Sequence, residues 1–252
     1  MAGNIELRTK HQFAGLVEKR GRWNRLKQDP SALQRSCQLI GPQWAQHNCA
    51  LDEMAQPSNW QREVLDEKRV LQLNRHINAA HWLLDCSKTR ESLSSADLLE
   101  LHRRMMEGIH DRAGRFRESE MKPLGEGHEP IEADLVPYVV DNALEWFNSD
   151  SFHEMHEVEK TALVLIKFVD IQPFDDGNGR TLRLFANFFL LRADYPPAIV
   201  SSERASQYDI AIQNSLRFHT QPLIDLLADS VLQSFQFCLG EPSPPAGLPI
   251  LQ

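Results

Sequence analysis

The stretch Gln172-Pro173-Phe174-Asp175-Asp176-Gly177-Asn178-Gly179-Arg180-Thr181-Leu182-Arg183 decides how the chain is read. Before it runs the most apolar segment, Val158 to Asp170, with Ala162, Leu163, Leu165, Ile166, Phe168 and Val169. That pattern predicts a central buried helix. After it a second helix opens near Asn178 and runs to about Ala193. Two acids and two glycines therefore sit between two helices. Glycines let backbone N–H groups approach an anion closely, and the new helix brings its unpaired N–H groups and positive dipole end to the same place. Arg180 and Arg183, three residues apart, share a helical face and suit phosphate oxygens by paired hydrogen bonds. Asp176 is placed to hold a divalent cation bridging those phosphates. The combination describes a site for a magnesium polyphosphate.

Working outward, the pattern is helical almost throughout. Trp60 to Cys86, Ala96 to His110 (with Ser95 as its expected N-cap), Val136 to Phe147, Ser202 to Phe218 and Pro222 to Phe237 each carry apolar residues at helical spacing. Gly114, Pro123, Gly125, Gly127 and Pro130 break the chain between the second and third of these, predicting a loop or hairpin. The expectation is an all-α fold of about six to eight helices with a short β-hairpin flap. Residues 1–58 read as an N-terminal helical appendage, 59–239 as the core domain, and 240–252, with four prolines, as a disordered tail. The basic stretch Arg8 to Lys27 reads as a solvated helical face over a small apolar stripe.

The chain has 252 residues, 42% hydrophobic and 25% charged, with a net charge of −8. These totals fit a globular protein, and the sign disfavours nucleic acid and anionic lipid as partners. No apolar run is long enough to span a bilayer. Cys37, Cys49, Cys86 and Cys238 form no C-x-x-C pair, which points to reduced thiols. Met1 to Lys10 carries no apolar signal segment, so a cytoplasmic location is expected, although a non-cleaved export signal would leave no such mark. His153-Glu154-Met155-His156-Glu157 lacks the H-E-x-x-H spacing of a zinc helix. His102 reads as a packing residue in an apolar helix, and His76 and His81, five apart, do not share a close helical spacing.

The twelve-residue string resembles the signature of the Fic family, H-P-F-x-[D/E]-G-N-G-R-x-x-R, agreeing at every defined position except the first. Leu101-His102 through Gly114-Arg115-Phe116-Arg117 and the stretch from Ala162 to Pro197 are also similar, so the resemblance covers roughly 60–220. It implies the Fic fold and AMP transfer from ATP with Mg²⁺ to a Ser, Thr or Tyr hydroxyl of a target protein; a homo-oligomer is compatible with it. It implies that Gly177, Asn178 and Gly179 form the anion hole, that Asp176 binds Mg²⁺, and that Arg180 contacts the diphosphate and Arg183 the terminal phosphate. Phe174 would anchor the loop. Tyr208 would lie near the nucleotide base. The flap, with Met121, Lys122, Leu124 and Ile131, would align the target by strand addition.

Gln172 stands where the family's histidine takes the hydroxyl proton. Its amide does not titrate usefully, and loss of a general base typically costs about 10²–10⁴-fold in rate. Three accounts stay open: a non-catalytic binding protein, another base such as His128, or an engineered His→Gln change. Many similar proteins also carry an inhibitory helix, [S/T]-x-x-x-E-[G/N], whose Glu pairs with the second arginine. Cys49-Ala50-Leu51-Asp52-Glu53-Met54 matches it at the Glu, which makes Glu53 the expected partner of Arg183.

Overall fold

A computed structural model of the chain describes residues 2–54, 62–125 and 128–241. Among them the fold is all-helical. Two long N-terminal helices, α1 (Ala2–Leu26) and α2 (Pro30–Met54), are followed by α3 (Arg62–Thr89), α4 (Ser95–Met106), α5 (Val136–Phe147), α6 (Asp150–His153), α7 (Glu157–Ile171), α8 (Asn178–Ala186), α9 (Phe188–Arg192), α10 (Ala205–Leu216) and α11 (Gln221–Leu239), with single 3₁₀ turns before α5 and α10. All seven helices expected beyond residue 59 are present. The Pro-rich tail expected at 240–252 lies, apart from its first two residues, outside the described residues.

α7 is the central element. Val158, Ala162, Val164, Phe168 and Ile171 are fully buried along it, and it packs against α5, α8, α9, α10 and α11. A helix covered on several sides must be apolar over most of its circumference, which is what marked this segment. Phe168 is gripped between Phe147 and Phe185, at ring-centroid distances of 5.9 and 5.2 Å. The helix starts at a capping box. His156 Nδ1 accepts from the Val158 N–H, and the Glu159 carboxylate accepts from the His156 N–H. The His153–Glu157 cluster is thus an N-terminal cap, and no group of three or more His, Cys, Asp or Glu that could hold a metal occurs among the described residues.

Three expectations differ from the structure. The helix expected from Asn178 to Ala193 is split at Asn187, whose side chain donates to the Arg183 carbonyl (2.8 Å) and accepts from the Ala198 N–H (2.7 Å). A side chain that bonds local backbone competes with the helical ladder, and here it ends α8 and ties the next strand of chain to it. The hairpin flap is not seen among the described residues, which contain no strand pairing between Glu118 and Glu132. The segment is pinned by side chains instead. Arg117 Nη2 donates to the Ile131 carbonyl (2.5 Å), His128 Nδ1 accepts from the Leu124 N–H (3.1 Å), and Gln213 donates to the Leu124 carbonyl (2.9 Å). The N-cap of α4 is Ser94, one residue before the Ser95 expected.

α1 and α2 share one continuous core with the rest: Leu16, Trp23, Trp44 and Leu51 are buried within it. α1 lies on α11 and α2 on α3, α8 and α11. Lys19 and Arg22 each reach Glu241 at 2.5 Å, and Lys27 pairs with Asp194, so three cations of the basic stripe are engaged by the chain's own acids. Cys49, Cys86 and Cys238 are buried thiols that form no disulfide. No described helix is long and apolar enough to cross a membrane.

Asn187→Ala removes both bonds at the α8–α9 break and leaves a buried N–H and a carbonyl unpaired. A loss of about 2 kcal/mol is expected in urea denaturation, with the transition remaining cooperative.

Candidate functional site

The twelve-residue loop is held from three sides. At its start Gln172 ends α7 in the left-handed region (φ 47°), an uncommon state for a side-chain-bearing residue. Arg117, itself buried, fixes it there: its Nε donates to the Gln172 carbonyl (2.7 Å), and its backbone N–H to the Pro173 carbonyl (2.9 Å). Phe174 is fully buried and its ring stacks on His102 at 3.7 Å between centroids, 8° from parallel. His102 carries the loop at both ring nitrogens. Nδ1 accepts from the Gly114 N–H (3.0 Å) and Nε2 donates to the Asp176 carbonyl (3.0 Å). That bonding requires the neutral ring, and burial keeps it so, pushing its pKa down to about 4.

The loop closes on itself at Asn178, whose Oδ1 accepts from the Phe174 N–H (3.0 Å) while Nδ2 donates to the Phe174 carbonyl (2.6 Å). Gly177 opens α8 with φ 74°, and a Cβ there would sit 2.5 Å from Met106 Sδ. Only glycine satisfies both demands. Asp175 bonds Arg112 Nε (2.8 Å) and the Ser119 hydroxyl. Asp176 is exposed beside the turn, with Oδ1 accepting from the Gly177 N–H (2.7 Å).

Arg180 and Arg183 are 6% and 8% exposed and converge on one carboxylate. Asp52 of α2 receives Arg180 Nε at 3.0 Å on Oδ2 and Arg183 Nη2 at 2.5 Å on Oδ1. One helical turn earlier, Asn48 accepts from Arg183 Nε through Oδ1 and from Arg183 Nη2 (2.9 Å) through its carbonyl. Its Nδ2 donates to the Arg180 carbonyl (3.0 Å) and to His76 Nε2 (2.7 Å). His76 is buried beside both arginines, and burial first, then their charges, push its pKa down to about 3. Tyr208, expected near a nucleotide base, lies against Arg183, whose guanidinium is 5.6 Å from the ring centroid.

The acid facing Arg183 is therefore Asp52, one residue before the Glu53 expected; the Glu53 side chain lies outside the described residues. Asn48 and Asp52, four apart, share the face of α2 turned to α8, and one residue later is about 100° around the helix. His128, the alternative base, has both nitrogens engaged: Nδ1 with Leu124 N–H, and Nε2 donating to the Asp170 carbonyl at 3.2 Å. The Gln172 amide nitrogen is buried with no partner among the described residues, in a side chain 5% exposed. Sequence reasoning missed Asn48, Asp52, His76 and Arg117 as site residues and gave His102 only a packing role. The i, i+4 pair Asn48–Asp52 was the available signal.

Residues 92–190 match the family model described as Fic/DOC family. The chain is similar to "Protein adenylyltransferase Fic" of Drosophila mojavensis, 27% identical over 98% of this chain and 51% of the relative, and of Drosophila erecta, 34% identical over 62% and 31%. It thus spans about half the length of the first, and less of the second. Among solved structures, Fic-1 from C. elegans has a TM-score of 0.79 at 23% identity, covering 95% of this chain and 74% of that one. A Fic domain containing signaling protein from Bacteroides thetaiotaomicron gives 0.73 at 18%, covering 92% and all of that chain. At these identities the structures bear on the fold alone.

Two buried histidines and a half-buried one titrate below their free value: His76 to about 3, and His102 and His156 to about 4, each chiefly by loss of hydration. The unfolded chain, with histidines near 6.5, takes up protons first as pH falls. This part of the stability is complete above about pH 6.5 and is lost on acidification towards pH 4. Melting temperatures measured from pH 7 to 4.5 should fall, and His156→Asn, which keeps a capping side chain, should make the fall less steep. A parallel fall in both proteins would refute this assignment for His156.

Proposed function

We propose that the chain is a Fic-type nucleotide-binding scaffold of the protein adenylyltransferase class. It takes ATP with Mg²⁺, and its transfer to a Ser, Thr or Tyr hydroxyl of a target protein is impaired because Gln172 occupies the place of the general base. One observation carries the reading. Two largely buried guanidiniums aim at a single carboxylate beside a glycine-opened helix start, so the pocket is built around an anion, and Asp52 is the anion the chain itself supplies. Paired guanidinium–oxyanion geometry serves phosphate equally well.

On this reading Arg180 and Arg183 bind the phosphates once Asp52 withdraws, and the N–H groups of Gly177, Asn178 and Gly179 cradle them at the start of α8. Asp52 acts as the inhibitory acid, on a residue shifted by one from the family pattern. Asp176 is a single exposed carboxylate with no protein cage around it, which suits Mg²⁺, an ion that completes its coordination with phosphates and water. That ion would supply charge neutralisation to the phosphates. Gln172 can orient a hydroxyl by hydrogen bonding but cannot accept its proton. His128 is occupied at both nitrogens and does not replace the base. These two facts favour a second reading as well, a module that holds nucleotide and recruits a partner without transfer. For a docking target, the backbones of Leu124 and Ile131 are engaged within the chain, so strand addition is confined to the Met121–Lys122 arm.

Asp52→Ala should tighten Mg·ATP binding about tenfold, a gain of about 1.4 kcal/mol, read by calorimetry. No heat at millimolar nucleotide with either protein would end the nucleotide reading. Gln172→His in the Asp52→Ala background should raise transfer of labelled AMP by about 10²–10⁴-fold. If transfer stays absent while nucleotide binds, the partner-recruiting module is the better description.

A further inference from the structure

Towards the N-terminal end of α2, away from Asn48 and Asp52, lies a cavity of about 230 Å³ that the nucleotide site does not use. It is enclosed by α1, α2, α3 and the turn after α9. Its walls are aromatic and flat: Trp23, Trp44 and Tyr195, each buried, with Ile40, Pro196 and Pro197 completing them. A dry engineered cavity of about 150 Å³ already admits benzene, so this one has room for a fused two-ring aromatic. Flat rings stack in offset or edge geometry against such walls. The rim is polar and carries two ammonium groups, Lys27 and Lys88, against one carboxylate, Asp194. Lys27 already bonds Asp194, and the exposed Lys88 reaches only Asp85, at 3.4 Å. Among the residues lining the cavity the cations outnumber the anions by one, the exposed Lys88, whose partner Asp85 stands outside the lining.

The wall on the α2 side is open by construction. Gly41 lines the cavity, and a Cβ added there would meet nothing within 4 Å. Pro42 follows it inside the helix and removes one backbone donor. Such a Gly-Pro step weakens a helix, and contacts made across the cavity would compensate for it. Trp44, from the same wall, leads directly to the arginine clamp. Its ring meets His76 edge-on at 5.6 Å, His76 accepts from Asn48, and Asn48 holds Arg183.

We propose that this cavity is a second ligand site, for a small fused-ring aromatic carboxylate, and that its occupant fastens α2 against the core and so keeps Asp52 on Arg180 and Arg183. The ring fills the space between Trp23, Trp44 and Tyr195, and the carboxylate lies at Lys88 and Lys27. The second clause rests on the nucleotide reading above; the first does not.

2-Naphthoate is the probe. Titrated into the full chain, it should quench tryptophan fluorescence saturably below millimolar concentration, and amide exchange along residues 43–52 should slow at least threefold on saturation. Gly41→Leu, which fills the cavity from α2, should abolish the quenching while leaving α2 protected. Lys88→Glu, at an exposed position that folding does not depend on, should weaken 2-naphthoate at least fivefold but leave the uncharged 2-naphthalenemethanol unchanged. Mg·ATP should bind several-fold more weakly in the presence of saturating 2-naphthoate. No saturable binding, or equal binding to a folded Gly41→Leu protein, overturns the site. Binding with unchanged α2 exchange overturns the coupling. If Mg·ATP binds neither with nor without the probe while the quenching and slowed exchange persist, the nucleotide reading fails and the cavity assignment stands.

Discussion

Two positive charges that are nearly out of water must have an anion between them. Burying Arg180 and Arg183 without one would cost several kcal/mol each, and their shared answer is the carboxylate of Asp52. Much of the N-terminal architecture follows from that requirement. α2 must run close enough to α8 for the short, two-carbon side chain of Asp52 to reach both guanidiniums. Asn48 must stand one turn back to occupy the remaining donors of Arg183, and His76 must stay uncharged beside them. Gly179 belongs to the same fit: a Cβ at that position would come within 2.4 Å of Asp52 Oδ1. The long helices α1 and α2 then fold onto α3 and α11 as part of one core, rather than standing off as an appendage.

The loop itself is rigid for a different reason. None of its shape depends on a regular ladder. It is set by side chains bonding to backbone: Arg117 on Gln172, His102 on Asp176, Asn178 on Phe174. The stacked ring of Phe174 is wedged under them. Bonds of this kind position amides without demanding secondary structure, so the glycines can face a ligand while the loop keeps its form. The left-handed Gln172 fits this picture as a strained residue held by stronger neighbours.

Local pattern made the helical fold readable. The apolar periodicity of α3, α4, α5, α7 and α11 and the glycine turn before α8 were all visible in order along the chain. So were the loop glycines and the two arginines, because they lie within a dozen residues of one another. What stayed hidden was tertiary. Asp52 and Arg183 lie 131 residues apart, and an acid in a helix gives no sign of which cation it will meet. The break at Asn187 depends on Ala198, eleven residues on. In the flap segment Arg117, His128 and Gln213 bond backbone groups of Ile131 and Leu124, and no turn dipeptide announces that.

Asp52 is attached to the pocket it fills, and this has a quantitative meaning. A tethered group acts at a local concentration set by the chain's geometry, commonly in the millimolar range or above, whatever the amount of protein present. Any incoming anion competes against that fixed value, which neither dilution nor overexpression alters. On the proposed nucleotide reading, the threshold at which the arginines change partners is therefore written into the seating of α2.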